Sequence, residues 1–482
     1  MSNSAAAIVW LRQDLRLADN PALCAALAGG GPLLPLYIDS SVEDGDWAAG
    51  AASRWWLHQS LAALAVDLVR RGSRLIVRRG PALPVLQSLC RETGADAVYW
   101  NRRYEPLAIA RDAQVKEALR AQGLVAESRN GGLLAEPWQI ATQHGGPYRV
   151  YTPFRRRLLA ELAPPEPLAA PASLPAPPNW PESLPLAALG LQPVTDWYAS
   201  IAASWEPGEA AAQRQLAQFV ADSLARYADD RDRPAIPGTS RLSPHLHHGE
   251  LSPRQVWHAV LRGAACAGVP PAEARGGKFL AELLWREFSY HLLYHFPHTP
   301  TAPHRESFAH FPWRDDPGAL HAWQRGRTGV PLIDAGMREL WATGWIHNRV
   351  RMVAASFLVK NLRLPWLAGA RWFWDTLVDA DLAANTQGWQ WVAGCGADAA
   401  PYYRVFNPVT QSCRFDPQGR YLRRWLPELA RLDDRAIQAP WLAAEQKLEA
   451  TGIRLGRDYP APIVDLQQSR AAALAAWRQM RG

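Results

Sequence analysis

Short apolar runs alternate with amphipathic stretches between residues 7 and 128. The runs are typical of strands buried on both faces, and the stretches between them, such as 53–71 and 106–123, have helical periodicity. This alternation predicts an α/β domain with a parallel, doubly wound sheet, whose ligand crevice lies at the carboxyl ends of the strands. The predicted strands span residues 7–12, 32–38, 74–78, 96–100 and 124–128.

The pattern changes twice further along the chain. Ten prolines between Pro164 and Pro193 exclude a regular helix or a central strand there and indicate a long connector over the surface. From residue 205 onward helical patterns dominate and strand alternation is missing. We therefore predict an α/β domain at 1–135, an interdomain linker at 136–204 and an all-helical domain at 205–482.

Composition indicates an ordinary globular protein and excludes several classes. The chain has 482 residues, 48% hydrophobic and 20% charged, with no apolar run that reaches the ~18 residues of a membrane span. Its first residues lack the basic stretch of a secretory signal, so we expect a cytoplasmic protein without a membrane partner. The five cysteines are odd in number and have no CxxC spacing, which predicts neither a disulfide framework nor a zinc site.

Almost all of the net charge of +7 lies in the second part of the chain. Residues 205–482 hold 33 Lys and Arg against 27 Asp and Glu, whereas residues 1–204 hold 19 against 18. A basic helical domain suggests a polyanionic partner, although an ordinary solvated surface accounts for the same excess and charge alone does not decide.

Two helical segments mix aromatic and charged side chains on one face. Glu282, Trp285 and Arg286 lie at i, i+3 and i+4, so a helix brings them together. The second predicted face carries Trp345, Asn348, Arg349 and Met352. A helix with a purely structural role keeps aromatic and charged side chains on separate faces. The two mixed faces therefore favour a functional site. The alternative is that these are core helices, with the Asn hydrogen-bonded inside the core.

The segment DADLAANTQGWQWVAG, residues 379–394, combines acids, an amide and two tryptophans. Asp381, Asn385 and Trp389 repeat at intervals of four residues. Trp391 follows Trp389 by two residues, which sends the two rings to different sides in a helix or a strand. One indole can then line a cavity while the other packs behind it.

Hydroxyl and imidazole side chains cluster between residues 238 and 257. Thr239, Ser240 and Ser243 precede a helical run, where hydroxyls and backbone N–H groups suit phosphate; ordinary N-capping, as at Ser252, is the alternative. Three histidines follow without a carboxylate or Cys at ligand spacing, and we expect surface or capping histidines and no metal site. They are His245, His247 and His248.

Six motifs, in order along the chain, carry a family resemblance. They are WLRQDLRLADNPAL (10–23), GTSRLSP (238–244), ELLWREF (282–288), TGVPLIDAGMREL (328–340), TGWIHNRVRM (343–352) and DADLAANTQGWQW with DAAPYYRVFNP (379–408). The chain resembles the photolyase/cryptochrome family, and among its members the class I photolyases that repair cyclobutane pyrimidine dimers. The resemblance implies an N-terminal α/β domain, a long linker and a helical domain that holds FAD.

The resemblance assigns FAD contacts by motif. Asp379 and Asp381 resemble contacts to the ribose and the flavin edge. Arg286 resembles a neighbour of the diphosphate or flavin, and Asn385 the residue that faces flavin N5. The other predicted FAD contacts are Tyr227, Thr239, Ser240, Arg241, Leu242, Ser243 and Trp345.

The resemblance also implies light-dependent repair of the dimer by electron transfer from photoexcited reduced FAD. All five lesion-pocket positions match: Glu282, Trp285, Asn348, Met352 and Trp391. Two indoles offer flat faces to the flipped-out dimer, and a protonated Glu282 can donate to a pyrimidine carbonyl and stabilise its radical anion. A (6-4) photolyase, expected to carry His at Met352, and a blue-light photoreceptor are the alternatives.

Two further sets of residues follow from the resemblance. The chain of three tryptophans that carries electrons from the surface to oxidised flavin is matched by Trp389, Trp366 and Trp313, with Trp323 as a candidate branch. The predicted contacts to UV-damaged DNA are Arg231, Arg349, Arg404 and Gln411. We expect a monomer without an obligate protein partner.

The resemblance breaks at the second, light-harvesting chromophore. Folate-binding relatives are expected to have an Asn-Glu pair shortly after a YE signature, where this chain has Leu107 and Ala108. Neither side chain can hydrogen-bond a pterin, so a folate antenna is not expected. A deazaflavin, a second flavin and no antenna all stay open.

Overall fold

The computed structural model describes residues 5–481. Residues 1–4, at the start of the stretch expected to lack a secretory signal, lie outside the described part. The strands are β1 (Ala7–Leu11), β2 (Leu33–Asp39), β3 (Ile76–Arg79), β4 (Ala97–Asn101) and β5 (Val125–Arg129). The first helices are α1 (Pro21–Ala28), α2 (Ala51–Arg70), α3 (Ala82–Thr93), α4 (Pro106–Ala121), α5 (Tyr151–Glu161), α6 (Ala199–Ser204), α7 (Glu209–Asp222), α8 (Tyr227–Asp230), α9 (Ser243–His247), α10 (Pro253–Cys266), α11 (Pro271–Gly276) and α12 (Lys278–His295). The remaining helices are α13 (Pro317–Gln324), α14 (Pro331–Thr343), α15 (Asn348–Ser356), α16 (Trp366–Thr376), α17 (Leu382–Ala393), α18 (Pro408–Phe415), α19 (Arg420–Trp425), α20 (Glu445–Ala450) and α21 (Leu466–Arg481), with a π-helix at Phe357–Asn361.

The five strands form one parallel sheet in the order β3-β2-β1-β4-β5. The chain runs outward from β1 to β3 and then crosses back to β4. The order therefore reverses between β1 and β4, where doubly wound sheets have their crevice. The predicted sheet and its five strands are confirmed.

Both faces of the sheet are covered, which is why its strands are continuously apolar. Val9 of β1 packs with Leu61 and Leu64 of α2 on one face. Trp10, the next residue, packs with Leu86 of α3 on the other. Each such buried side chain contributes roughly 1.5–3 kcal/mol to folding.

The proline-rich segment 164–193 follows the α/β domain closely. Its backbone binds the domain where Leu174 N donates to Arg71 O (2.9 Å) and Leu184 N donates to Val77 O (3.0 Å). Leu174 and Leu189 are buried with the residues of the sheet's first face. The segment has no α-helix or strand, as predicted, but it contributes to the core as well as to the surface.

The chain divides into two compact units, each made of separate stretches. The first comprises the described part of Met1–Ala225, with Ser240–Pro297 and Val378–Leu382. The second comprises Arg226–Thr239, His298–Leu377 and the described part of Ala383–Gly482. Between residues 205 and 481 the structure has helices, turns and one isolated bridge, Leu455 to Tyr459, but no strand. The helical character of this region is confirmed, whereas the boundaries at 135 and 204 stay a prediction.

Two glycines allow close helix contacts in the second unit. A Cβ at Gly336 of α14 would lie 2.4 Å from Val350 Cγ1, so α14 fixes the position of α15. A Cβ at Gly369 of α16 would lie 2.1 Å from the Trp389 ring of α17. The Trp389 indole therefore lies directly against the backbone of α16.

Two Gly-to-Ala substitutions should differ in their effect on the free energy of unfolding because of this contact. Gly369→Ala should lower the free energy of unfolding by about 1–3 kcal/mol, because the methyl overlaps the indole. Gly388→Ala, in α17 with no atom within 4 Å of the added Cβ, should be neutral or stabilise by up to about 1 kcal/mol. Denaturant unfolding of both variants measures the difference, and equal effects would contradict the close contact.

Candidate functional site

Helix α12 of the first unit brings together the first predicted face. Glu282, Trp285 and Arg286 lie on successive turns, all partly exposed. The Glu282 carboxylate lies 3.8 Å from the amine of Lys278, one turn earlier. The Trp285 ring stacks on Tyr151 of α5 with centroids 3.6 Å apart and planes inclined by 10°. This helix face is therefore formed as predicted, with a neighbouring tyrosine that the pattern did not indicate.

Asp381, a predicted FAD contact in the first unit, is buried. Asp381 accepts a hydrogen bond from the phenol of Tyr290, and the Arg286 guanidinium lies 4.8 Å from the centre of the Tyr290 ring. Burial alone would raise the pKa of Asp381, but the nearby His247 imidazole and the charge of Arg286 overcome it and hold the pKa at about 2. Asp381 is therefore a carboxylate at neutral pH.

The three histidines are buried, so the prediction of surface or capping residues is wrong. His245 bonds the buried Glu250 through Nδ1, and His248 Nε2 lies 3.2 Å from Val378 O. His247 Nδ1 lies 3.8 Å from Asp381. Glu250 lies five residues after His245, whereas the carboxylate near His247 and the carbonyl near His248 come from a distant part of the sequence. In residues 5–481 no cluster of three His, Cys, Asp or Glu side chains is arranged to hold a metal ion.

The segment Ser240–Ser243 has a strained backbone. Arg241 has a φ of 54°, which is uncommon for a residue with a side chain, and its guanidinium lies 4.0 Å from the centre of the Trp205 ring. Ser240 O accepts from Gln215 Nε2 (3.0 Å). Leu242 is buried, and Ser243, at the first position of α9, is exposed. Ser240 and Ser243, two of the residues whose hydroxyls were predicted to suit phosphate, thus lie on a turn with an uncommon backbone conformation. Contacts with Trp205 and Gln215 stabilise this turn.

Helix α15 of the second unit carries most of the second predicted face. The Asn348 amide nitrogen lies 3.9 Å from the Met352 sulfur, one turn later. The predicted inclusion of Trp345 in this face is wrong, because α15 begins only at Asn348. Gly344, with a φ of 66°, ends α14, and the His347 imidazole caps α15 by accepting from Arg349 N. Trp345 therefore lies in the turn between the helices.

Three of the four predicted DNA contacts lie near the start of α15. Arg349 Nη2 bonds Asp232 (2.8 Å), the neighbour of Arg231, and the Arg349 guanidinium lies 4.5 Å from the Phe415 ring centre. Phe415 ends α18, the helix that also carries Gln411. The fourth, Arg404, is exposed on a turn that precedes α18.

The predicted FAD contacts of the second unit lie on several elements. Tyr227 begins α8, and Thr239 follows Gly238, whose Cβ would lie 2.6 Å from Asp230 O at the end of that helix. Asn385 of α17 donates to Ala370 O of α16 (3.0 Å).

The two tryptophans of α17 have different environments. Trp389 is 2% exposed and packs edge-on against Trp323 (6.1 Å between centroids) and Phe373 (5.0 Å). Trp391 is partly exposed. Trp366 begins α16 one turn before the glycine that contacts Trp389, but in the described part of the chain no ring contact joins it to Trp389 or Trp313. The opposite orientation of the pair agrees with the prediction, and the electron-carrying chain stays a prediction.

A buried lysine supports the turn that carries Arg404. Lys360 lies in the π-helix, is 1% exposed, and donates to Arg404 O (2.7 Å). Its amine lies 5.3 Å from the Tyr402 ring centre. Burial, and then the charge of Arg404, lower the pKa of Lys360 to about 7. No pattern in the sequence indicates this residue, because one lysine within an apolar helical segment produces no recognisable periodicity.

Comparisons with known proteins identify the family. Residues 7–176 match the family described as DNA photolyase, and residues 279–479 match the FAD binding domain of DNA photolyase. The chain is 48% identical to the deoxyribodipyrimidine photo-lyase of Agrobacterium fabrum, over 99% of this chain and 98% of that protein. The chain belongs to the photolyase/cryptochrome family.

Other members of the family show its breadth. Cryptochrome-1 of Arabidopsis thaliana is 40% identical over 98% of this chain and 70% of that protein. The crystal structure of a bacterial class III photolyase from Agrobacterium tumefaciens has a TM-score of 0.95 and 47% identity, covering 100% of this chain and 98% of that one. The class I assignment is therefore not supported, since this similar photolyase belongs to another class.

The side chains of the first unit have the chemistry to bind the FAD of a photolyase FAD-binding domain. In the first unit, Arg286 suits the diphosphate oxygens, and the ionised Asp381 suits N–H or ribose hydroxyl donors. His247 Nδ1 is buried without a hydrogen-bond partner among the described residues, which leaves a polar atom for a ligand. A small cleft in this unit, with a volume of about 30 Å³, has the cationic side chains of Arg16, Arg102, Arg103 and Arg286 and the carboxylate of Glu105 among its lining residues.

The two residues at the positions of the folate-binding pair differ in exposure. Leu107 is half exposed and Ala108 is buried, and neither observation identifies an antenna chromophore.

No helix in the described part of the chain is long and apolar enough to cross a membrane.

The pKa of Lys360 predicts a pH-dependent stability. The unfolded chain holds this proton up to its ordinary pKa of 10.5, the folded chain only to about 7. Between these values the unfolded state binds more protons, so stability rises with pH; below them the full cost of the buried charge is present. Lys360→Met should gain stability relative to wild type at low pH. This difference should then shrink by up to roughly 1.4 kcal/mol per pH unit between about 7 and 10.5.

Denaturant unfolding over a pH series measures this difference. The exposed Lys447, replaced in the same way, is the control and should show no such trend. A Lys360→Met difference that is constant with pH would contradict the lowered pKa.

Proposed function

We propose that this protein uses light to split cyclobutane pyrimidine dimers in UV-damaged DNA in the cytoplasm. The observation that carries the proposal is the 48% identity, over 99% of this chain, to a protein named deoxyribodipyrimidine photo-lyase; the resemblance of five residues to the lesion pocket of such enzymes supports it. The reaction breaks the two carbon–carbon bonds that join the pyrimidines, with no net oxidation or reduction. No nucleophile or general base is required.

The residues of the lesion pocket recognise a dimer that has left the duplex. Trp285 and Trp391, both partly exposed, offer indole faces, and each stacked base contributes ~1–3 kcal/mol. Leaving the duplex costs a few kcal/mol and less for a poorly stacked lesion, so stacking of this size can offset it. Glu282, when it carries a proton, can donate a hydrogen bond to a pyrimidine carbonyl, where negative charge develops once the dimer receives an electron. In the second unit, Asn348 and Met352 are the proposed amide and thioether contacts to the lesion.

The cofactor residues hold FAD and control the charge around it. Arg286, Asp379 and Asp381 in the first unit, and Asn385 in the second, are the proposed contacts. When bound, reduced FAD supplies the chemistry that side chains lack: absorption of blue or near-ultraviolet light and the loan of one electron to the dimer. Asp381 keeps its negative charge at neutral pH, and Trp389, Trp366 and Trp313 are the proposed route by which electrons reach oxidised cofactor.

A blue-light photoreceptor is the second candidate. The 40% identity to cryptochrome-1 of Arabidopsis favours it, because that similarity also extends along almost the whole chain. Met352 in place of His argues against a (6-4) photolyase.

Photorepair by the purified protein distinguishes the candidates. Reduced, FAD-loaded protein is mixed with UV-irradiated oligothymidylate, and the ultraviolet absorbance of intact thymine is followed under blue light and in the dark. A repair enzyme restores the absorbance only in the light. No restoration above the dark control would remove the repair proposal and leave the photoreceptor.

Glu282 provides a prediction for the chemistry. Glu282→Ala should lower the rate of light-driven repair about 10- to 100-fold, the size expected for losing a hydrogen bond to a charged group. Its stability should change little, because the carboxylate is 30% exposed and its contact with Lys278 is a surface ion pair. Glu273→Ala, at an exposed Glu of α11, is the control. Equal repair rates for the two variants would contradict the role of Glu282.

Arg349 and Asp232 provide a prediction for DNA binding. If Arg349 grips a phosphate, Asp232 competes for the same guanidinium. Arg349→Gln should weaken binding and reduce the salt dependence by about one counterion, whereas Asp232→Asn should leave binding unchanged or strengthen it. Affinities for a dimer-containing duplex at several salt concentrations measure both. Weaker binding by both variants would indicate that the ion pair is structural.

A further inference from the structure

Tyr151 holds the indole of Trp285 in two ways. Its ring stacks on Trp285 with centroids 3.6 Å apart and planes inclined by 10°. Its phenol donates to Ala281 O (2.6 Å), on the same helix and one turn before Trp285. A single side chain therefore binds both the backbone and the ring of this turn of α12.

Further aromatic rings support the stack from the side. Phe288 packs at steep angles against both rings, with centroids 5.9 Å from Tyr151 and 5.8 Å from Trp285. Phe154 of α5 packs against Phe288 in turn, 5.1 Å away. Offset and edge-on contacts of this kind are favourable arrangements for aromatic pairs. The rings resist movement of the indole away from Tyr151.

The two stacked residues differ in exposure. Tyr151 is 8% exposed, whereas Trp285 remains partly exposed. Since a nearly parallel ring covers one indole face, the exposed part of Trp285 belongs to its remaining surface. An indole held in this way is oriented before any ligand arrives, which removes the cost of ordering it on binding.

We propose that Tyr151 is a positioning residue for lesion recognition, which covers one face of Trp285 and leaves the other for a flipped-out base. This inference rests on the proposed function, because it requires Trp285 to stack on the lesion. The base, the indole and the phenol then form a stack of three rings. Tyr151 acts through Trp285 and does not itself contact DNA.

A double-mutant cycle tests this inference. Tyr151→Met fills the space without a flat ring, and Tyr151→Leu is a second non-aromatic variant. Each should weaken binding to dimer-containing DNA about 10-fold, within the range of one base stack, and leave binding to undamaged DNA unchanged. In a Trp285→Leu background the same changes should have no further effect, because the indole they orient is gone. Tyr151→Phe, which keeps the ring and loses only the bond to Ala281, should stay within about 3-fold of wild type, near the lower end of the roughly 2- to 13-fold effect of one ordinary hydrogen bond.

The outcomes separate this inference from the proposed function. A wild-type protein that binds damaged and undamaged DNA equally contradicts the proposed function itself. A selective wild type in which Tyr151→Met weakens both DNAs alike, or keeps its full effect beside Trp285→Leu, contradicts the positioning role alone. If neither non-aromatic variant folds, fluorotryptophan NMR of wild type and Tyr151→Phe decides. One Trp285 signal, identified by its loss in Trp285→Leu and shifted by the neighbouring ring, supports the stack, and several signals overturn it.

Discussion

Helix α12 is largely buried yet carries polar side chains around its circumference, and this constraint organises the first unit. Burying an unpaired polar group costs several kcal/mol, so each requires a partner. Glu287 accepts from Leu134 N (2.9 Å) and Ala135 N, and His291 accepts from Tyr148 N (3.0 Å). The chain that follows β5 is thereby bound along the helix. Burial lowers the pKa of His291 to about 4, which keeps the imidazole neutral and able to accept.

A helix fixed in this way holds side chains with two different sets of neighbours on one face. Glu282 and Trp285 lie beside Tyr151, whereas Arg286 lies over Tyr290 and near Asp381. Residues four apart are separated by about 5–6 Å along the helix. Two residues proposed for the lesion, Glu282 and Trp285, and one proposed for the cofactor, Arg286, thus share one short stretch of backbone, and the geometry of all three depends on the same hydrogen bonds.

Periodicity was sufficient to predict the sheet, since its strands are apolar on both faces and lie between amphipathic helices. It also placed Glu282, Trp285 and Arg286 on one face, and the family motifs supplied the candidate site residues, which stay a prediction. Periodicity did not reveal residues whose partners are distant in sequence. Tyr151 lies 134 positions before Trp285, and Lys360 bonds a carbonyl 44 positions later. The burial of the histidines was not predicted because His247 and His248 pack against residues far along the chain, and Trp345 was assigned to the wrong element because a turn interrupts the helical spacing.

The proposed repair reaction requires a dimer that docks against the exposed side of α12. The most direct measurement is a crystal structure of the protein, prepared in the dark, with an oligonucleotide that contains one thymine dimer. We expect the dimer outside the duplex, with one base on the uncovered face of Trp285 and a carbonyl within hydrogen-bond distance of Glu282. A dimer that stays in the duplex, or that binds without contact to either residue, would contradict the account.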